Sequence, residues 1–237
     1  MKAFPGQSDE LKRRELFELR LRQKGIALLK TPTLEARKEK ADSYPLSFSQ
    51  QRLWFLDQLE PGSSVYNVPV AVRLYGSLNV RNLELSIYEV VRRHESLRTT
   101  FSVKDGQPVQ VIGSEAKLCL PLIDTSTLAT EPCEAQVQRL ALQEGRRAFN
   151  LSSGPLMRVL LLRLGPDEHV LLLTMHHIIS DHWSRSILVR EVTTLYNALE
   201  TGRPSPLAPL PLQYADYALW QRRWLQGEVL AQQLDYW

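Results

Sequence analysis

Apolar and polar positions along the chain change period several times, and each change marks an element. A helix-like spacing runs over 10–24, with Leu11, Leu16, Phe17 and Leu19 on one stripe, Ser8 and Asp9 available as caps and Gly25 as a stop. A second helix is predicted over 47–59, ended by Pro61-Gly62, and a third over 79–93 from Leu83, Ile87, Val90 and Val91. Alternation predicts strands over 68–75, 98–103, 108–112 and 118–123, with Lys104-Asp105-Gly106 turning the second into the third. After a helix over 131–149, the runs 157–164 and 169–175 read as a hairpin through Gly165-Pro166-Asp167, with Val170–Thr174 a buried strand. Helices over 184–199 and 214–236 close the pattern, separated by a proline-rich connector. Strands mixed with helices, with no internal repeat, predict an α+β sandwich and not a doubly wound sheet.

Composition changes this picture little. The chain has 237 residues, 43% hydrophobic and 23% charged, which is ordinary for a globular protein. Two cysteines, Cys119 and Cys133, without CxxC spacing predict neither a disulfide framework nor a zinc knuckle. No apolar run reaches the roughly 20 residues needed to span a bilayer, and MKAFPGQSDELKRR lacks the apolar core of a signal peptide, so no membrane association and a cytoplasmic location are expected. Charge is uneven. Residues 1–40 carry eleven Lys or Arg against six Asp or Glu, which reads as a basic arm and linker on a nearly neutral globule. No aromatic residues alternate with those cations, so nucleic acid is not an expected partner.

The chemistry concentrates in Met175–Ser184, MHHIISDHWS, where two histidines and an aspartate follow the buried strand. Adjacent residues of an extended segment point to opposite faces, so one histidine can anchor in the core while the other meets a cavity. His176, His177, Asp181 and His182 together resemble a metal set, but no HExxH or cysteine group accompanies them and a strand end would splay the first pair; no metal is expected. An aspartate buried beside them would need a cationic partner.

Three further segments accompany this one: Ser47–Leu56, SFSQQRLWFL; Arg93–Phe101, RHESLRTTF; and Gln213–Gln221, QYADYALWQ. In this order and spacing, from about Tyr44 to the last residue, the four resemble the successive motifs of a nonribosomal peptide synthetase condensation domain. The resemblance implies a chloramphenicol-acetyltransferase-like two-layer α+β sandwich whose two similar halves flank a tunnel. Because such domains are roughly double this length, the chain resembles the N-terminal half: a basic helical arm and linker (1–43), an N-terminal condensation subdomain (44–202), and a proline-rich connector with a crossover helix (203–237).

The implied activity is amide-bond formation between a carrier-tethered acyl or peptidyl thioester and a carrier-tethered aminoacyl acceptor; a catalytically silent module that docks carrier proteins is the alternative. His177 is then the proton acceptor, with His176 a structural neighbour and Asp181 shaping the loop. Arg98, Arg93 or Arg52 would meet Asp181, and His182, Trp183 and Ser184 would face the tunnel, although Trp54, Trp183 and Trp220 also suit a core. The family pattern has glycine where this chain has His182, whose Cβ excludes backbone angles that glycine allows. No cofactor is expected to bind directly, since the substrates ride on the phosphopantetheine of peptidyl and aminoacyl carrier proteins. The other implied partners are a C-terminal condensation subdomain and an adenylation domain of the same assembly line.

Overall fold

The structure, a computed structural model, describes residues 32–115, 118–125 and 133–236. The helix expected over 10–24 lies outside these residues. Two compact units divide the chain, and the larger runs from Leu34 to Arg222.

Within it a four-stranded sheet has the order β2-β7-β6-β5, formed by β2 (Asn67–Tyr75), β5 (Leu122–Asp124), β6 (Met157–Gly165) and β7 (Glu168–His176). A smaller sheet has the order β1-β4-β3, from β1 (Tyr44–Pro45), β3 (Thr99–Lys104) and β4 (Gln107–Ile112). The β3–β4 turn places Asp105 at φ 52° and Gly106 at φ 73°, the left-handed pair a two-residue hairpin needs to match strand twist.

The helices are α1 (Phe48–Leu59), α2 (Val80–Arg93), α3 (Cys133–Arg146), α4 (His182–Glu200), α5 (Tyr214–Trp224) and, in the second unit, α6 (Gly227–Tyr236). Alternation along β6 and β7 sends Val159, Leu161, Leu173 and Met175 into a core with Leu83, Ile87 and Val90 of α2 and Leu188 and Leu195 of α4. The intervening Leu160, Leu162, Val170 and Leu172 meet Val137, Leu140 and Ala141 of α3 on the other face. A strand covered on both sides is apolar at successive positions, which is why Val170–Leu173 shows no alternation. Each such buried aliphatic side chain contributes about 2 kcal/mol. The sheet and its helix pair supply the expected sandwich, and α3 adds a helix on the opposite face.

Three expectations move. The strand expected over 118–123 is confined to Leu122–Asp124, where it pairs parallel to β6. The helix expected over 131–149 ends at Arg146, because Asn67 Nδ2 donates to the freed carbonyls of Gly145 and Arg147 at 2.8 and 2.9 Å. The single helix expected over 214–236 is two: α5 ends at Trp224 and α6 starts at Gly227, whose φ of 56° no helix interior accommodates.

Candidate functional site

β7 delivers the two histidines to a tight turn between the sheet and α4. His176 ends the strand and is 2% exposed, its ring edge-on to Phe149 at 6.2 Å and tilted against Tyr66 at 6.4 Å. Its Nδ1 accepts the amide proton of Ile178 at 3.1 Å, which puts the proton of the neutral ring on Nε2. Burial, assisted by the neighbouring His177, holds its pKa down to about 4.

His177 faces the other way and is exposed. Its amide donates to the Tyr66 carbonyl at 2.8 Å, tying the turn to the residue ahead of β2. Its Nδ1 lies 2.6 Å from the Ser180 carbonyl. A carbonyl only accepts, so Nδ1 carries the hydrogen of the neutral ring and Nε2 keeps its lone pair. One backbone oxygen therefore selects the tautomer and aims the imidazole. The same turn is closed by Ile179 N donating to His176 O at 3.1 Å and by Ser180 Oγ donating to it at 3.3 Å.

Asp181 is exposed and caps α4: Oδ1 accepts from Ser184 N at 2.7 Å and from Ser184 Oγ at 2.6 Å, while Asp181 N donates to Ser184 Oγ at 2.7 Å. The Ser184 hydroxyl, more than any other influence, holds the Asp181 carboxyl below its usual range, with the Ser184 amide and the nearby His177 acting in the same direction against burial. The expected arginine partner is therefore corrected. Unpaired amides at a helix start satisfy a carboxylate without burying a second charge. Arg98 instead donates through Nη1 to the Gly113 carbonyl, Arg93 lies 3.2 Å from Glu191, and Arg52 is exposed on α1.

Of the residues expected along a tunnel, two are exposed and one is half-buried at the start of α4. Trp183 is 76% exposed and so is not a core residue, and Ser184 is spent on the cap. His182 is exposed, its Nδ1 accepting from Arg185 Nη2 at 2.5 Å. Position 182 opens α4 and has no positive φ, so the backbone does not require glycine there. Trp54 packs on the main core, and Trp220 stacks on Tyr217 at 5.8 Å. An apolar cavity of about 500 Å³ lies between the sheet, at Val70, Leu171 and Leu173, and α2 and α4, at Ile87 and Val192. Among the described residues no group of three or more His, Cys, Asp and Glu could hold a metal, and no helix is long and apolar enough to cross a membrane.

The remaining motifs build the frame. Ser47 caps α1 in a reciprocal box with Gln50, and its hydroxyl meets Tyr214 OH at 2.9 Å; Arg222 Nε donates to Leu46 O at 2.7 Å, so the first and last motifs are stitched together. Glu191, 4% exposed, lies on the apolar stripe Leu188, Glu191, Leu195, Ala198 of α4 and receives both Arg93 and, at 2.7 Å, His94 Nε2. A carboxylate inside an apolar stripe is a sequence signal for such a pair. The orienting carbonyls of Tyr66 and Ser180 leave no such trace, since any residue supplies a carbonyl.

Comparison with known proteins gives this geometry its family. The family model described as Condensation domain matches residues 40–237. The chain is 54% identical over 193 residues to a linear gramicidin synthase polypeptide of Brevibacillus parabrevis, covering 81% of this chain and 2% of that one. Its identity to phosphinothricin tripeptide synthetase PhsC of Streptomyces viridochromogenes is 44% over 226 residues, covering 95% and 21%. Among solved structures it is similar to the complex of the X-domain and OxyB from teicoplanin biosynthesis, with 34% identity, TM-score 0.72, and 85% of this chain and 42% of that chain covered. The starter condensation domain of rhizomide synthetase RzmA gives 25%, 0.75, 83% and 47%.

The chain therefore belongs to the condensation-domain family, with its chloramphenicol-acetyltransferase-like fold, and its curated relatives are nonribosomal peptide synthetases. It spans less than half of those solved chains and 2% and 21% of those two synthetases.

Proposed function

We propose that this chain supplies the histidine-bearing part of a condensation site that joins a carrier-tethered acyl or peptidyl thioester to a carrier-tethered aminoacyl amine. The observation that carries the reading is the His177 ring, held through Nδ1 on the Ser180 carbonyl with its Nε2 lone pair on an exposed edge. The acceptor nitrogen attacks the thioester carbonyl, the carbon–sulfur bond breaks to release the phosphopantetheine thiolate, and the surplus proton on nitrogen passes to His177 Nε2. A positioned base of this kind contributes about 10²-fold or more, and alignment of the amine adds to it. His176 holds the turn, and Asp181 starts α4 at the correct place.

The proposal includes the partners such a site needs: donor and acceptor carrier proteins, an adenylation domain that loads them, and a C-terminal condensation subdomain forming the opposite wall. The substrates bring phosphopantetheine with them, and the reaction belongs in the cytoplasm. Residues 44–202 are its working subdomain, with the arm and linker (1–43) leading in and the connector with its helices (203–237) crossing towards the second wall.

In the full assembly with loaded carriers, His177→Ala is expected to lower dipeptidyl product, followed by intact mass spectrometry, about a hundredfold, with the melting temperature nearly unchanged because the side chain is exposed. Undiminished product contradicts the assignment. A second reading, a silent docking module, is favoured by the likeness to the X-domain solved with OxyB. It predicts carrier binding with no product even from the unaltered protein.

A further inference from the structure

The described segment ahead of Tyr44 is charged and mostly exposed, yet one of its charged residues is not. Glu35, Lys38, Glu39 and Lys40 are exposed, whereas the Arg37 side chain is 13% exposed. Arg37 Nη2 donates to both oxygens of Glu95 at 2.6 Å, Nη1 and the backbone amide both donate to Asp216 Oδ1 at 3.1 Å, and the guanidinium lies 4.8 Å from the centre of the Tyr44 ring. Its two carboxylates are themselves largely buried, at 14% and 3%, and come from separate motifs, RHESLRTTF and QYADYALWQ. Arg37 also precedes the stretch that the family model matches, residues 40–237. Two buried carboxylates with no cation between them would repel and lose solvation, so this arginine completes the site they form.

The contacts continue beyond it. Gln213 links the same groups, accepting from Glu95 N at 3.1 Å and donating to Arg93 O at 3.0 Å. Arg93 and His94, adjacent to Glu95, hold Glu191 in the middle of α4. Helix α4 is capped by Asp181, which immediately follows the residue whose carbonyl aims His177. Ion pairs, the Gln213 amide and the adjacency of Arg93, His94 and Glu95 thus connect the lead-in segment to the helix that follows the motif loop.

We propose that Arg37 is a positioning residue for the condensation reaction: it seats the lead-in segment in the Glu95–Asp216 pocket and, through Glu95, braces the α2–α4 contact that fixes the start of α4 and the His177 turn. This rests on the reading of His177 given above, and two readouts keep the two apart. The first is hydrogen exchange in the full polypeptide, which needs no turnover. Arg37→Ala should speed exchange about tenfold or more both in residues 34–43 and at the Ser184 and Arg185 amides, while β6 and β7 keep their protection. Arg37→Lys, which keeps the charge but cannot fork between two carboxylates, should fall between wild type and Arg37→Ala.

The second readout is single-turnover condensation with loaded carriers. Arg37→Ala should slow the step about tenfold, with half-saturation for the carriers unchanged and partial recovery in Arg37→Lys. If Ser184 and Arg185 exchange at the wild-type rate in Arg37→Ala, the inference is overturned, whatever happens in 34–43. It is equally overturned if Arg37→Lys, folded by the protection of β6 and β7, shows the alanine variant's full loss. If the unaltered protein gives no product, the reading of His177 fails while the exchange result still decides the role of Arg37.

Discussion

The end of β7 and the end of α2 carry similar raw material, MHHIISD in one and RRHE in the other, and the fold uses them in opposite ways. At the end of α2 the polar groups are spent on partners: the Arg93 guanidinium and the His94 ring on buried Glu191, and Glu95 on Arg37. At the end of β7 the loop satisfies itself with its own backbone. Ile178 N meets His176, Ser180 O meets His177 and Ser184 meets Asp181, leaving the exposed edge of His177 free to act. A cluster of ionisable residues is a reactive site only where the fold leaves a group uncommitted. A cluster committed in pairs is a brace, and its loss is felt as stability.

The largest expected effect therefore lies in the brace. Glu191→Ala leaves Arg93 without its counter-charge in a largely buried place and should cost about 3 kcal/mol, read from the denaturant midpoint. A cost below about 1 kcal/mol would make the α2 cluster a surface feature and erase the contrast.

Next is the pH response of His176. Its folded pKa, about 4, lies below the ordinary 6.5, so the unfolded chain binds a proton that the folded chain refuses. This penalty is absent above about pH 6.5, grows as pH falls, and reaches about 3 kcal/mol below about pH 4. His169, whose pKa is also lowered, chiefly by burial, adds in the same direction. His176→Asn, which cannot titrate, should flatten the dependence of melting temperature on pH between about 6.5 and 4; an unchanged slope would place the titration elsewhere.

The smallest effect belongs to the cap. Asp181→Ala should cost about 1 kcal/mol in thermal melts, the worth of an N-cap, and not the 3–5 kcal/mol that breaking a buried ion pair would. A loss in the larger range would restore the arginine partner expected from sequence.

Much of the frame could be read from pattern because period reports burial directly. The β3–β4 and β6–β7 hairpins, with their turns at Asp105-Gly106 and Pro166-Asp167, fall where alternation and turn residues place them. The interruption between α5 and α6 escaped, since helical spacing continues past Leu225 and only the φ of Gly227 breaks it. At the site, the histidine pair could be found from the strand before it, but the surroundings of Asp181 could not. Whether a carboxylate after a strand faces an arginine or a helix start depends on where α4 begins, and that is fixed by Ser184. Arg37 was hidden among charged neighbours, because its partners lie 58 and 179 residues away.

The account turns on one nitrogen, and nitrogen-15 NMR of the His177 ring reads it directly. The geometry predicts that the neutral ring carries its hydrogen on Nδ1, bonded to Ser180 O, and leaves Nε2 bare, while His176 shows the opposite tautomer. A His177 ring with its hydrogen on Nε2 would have no lone pair on the exposed edge and would contradict the proposed chemistry.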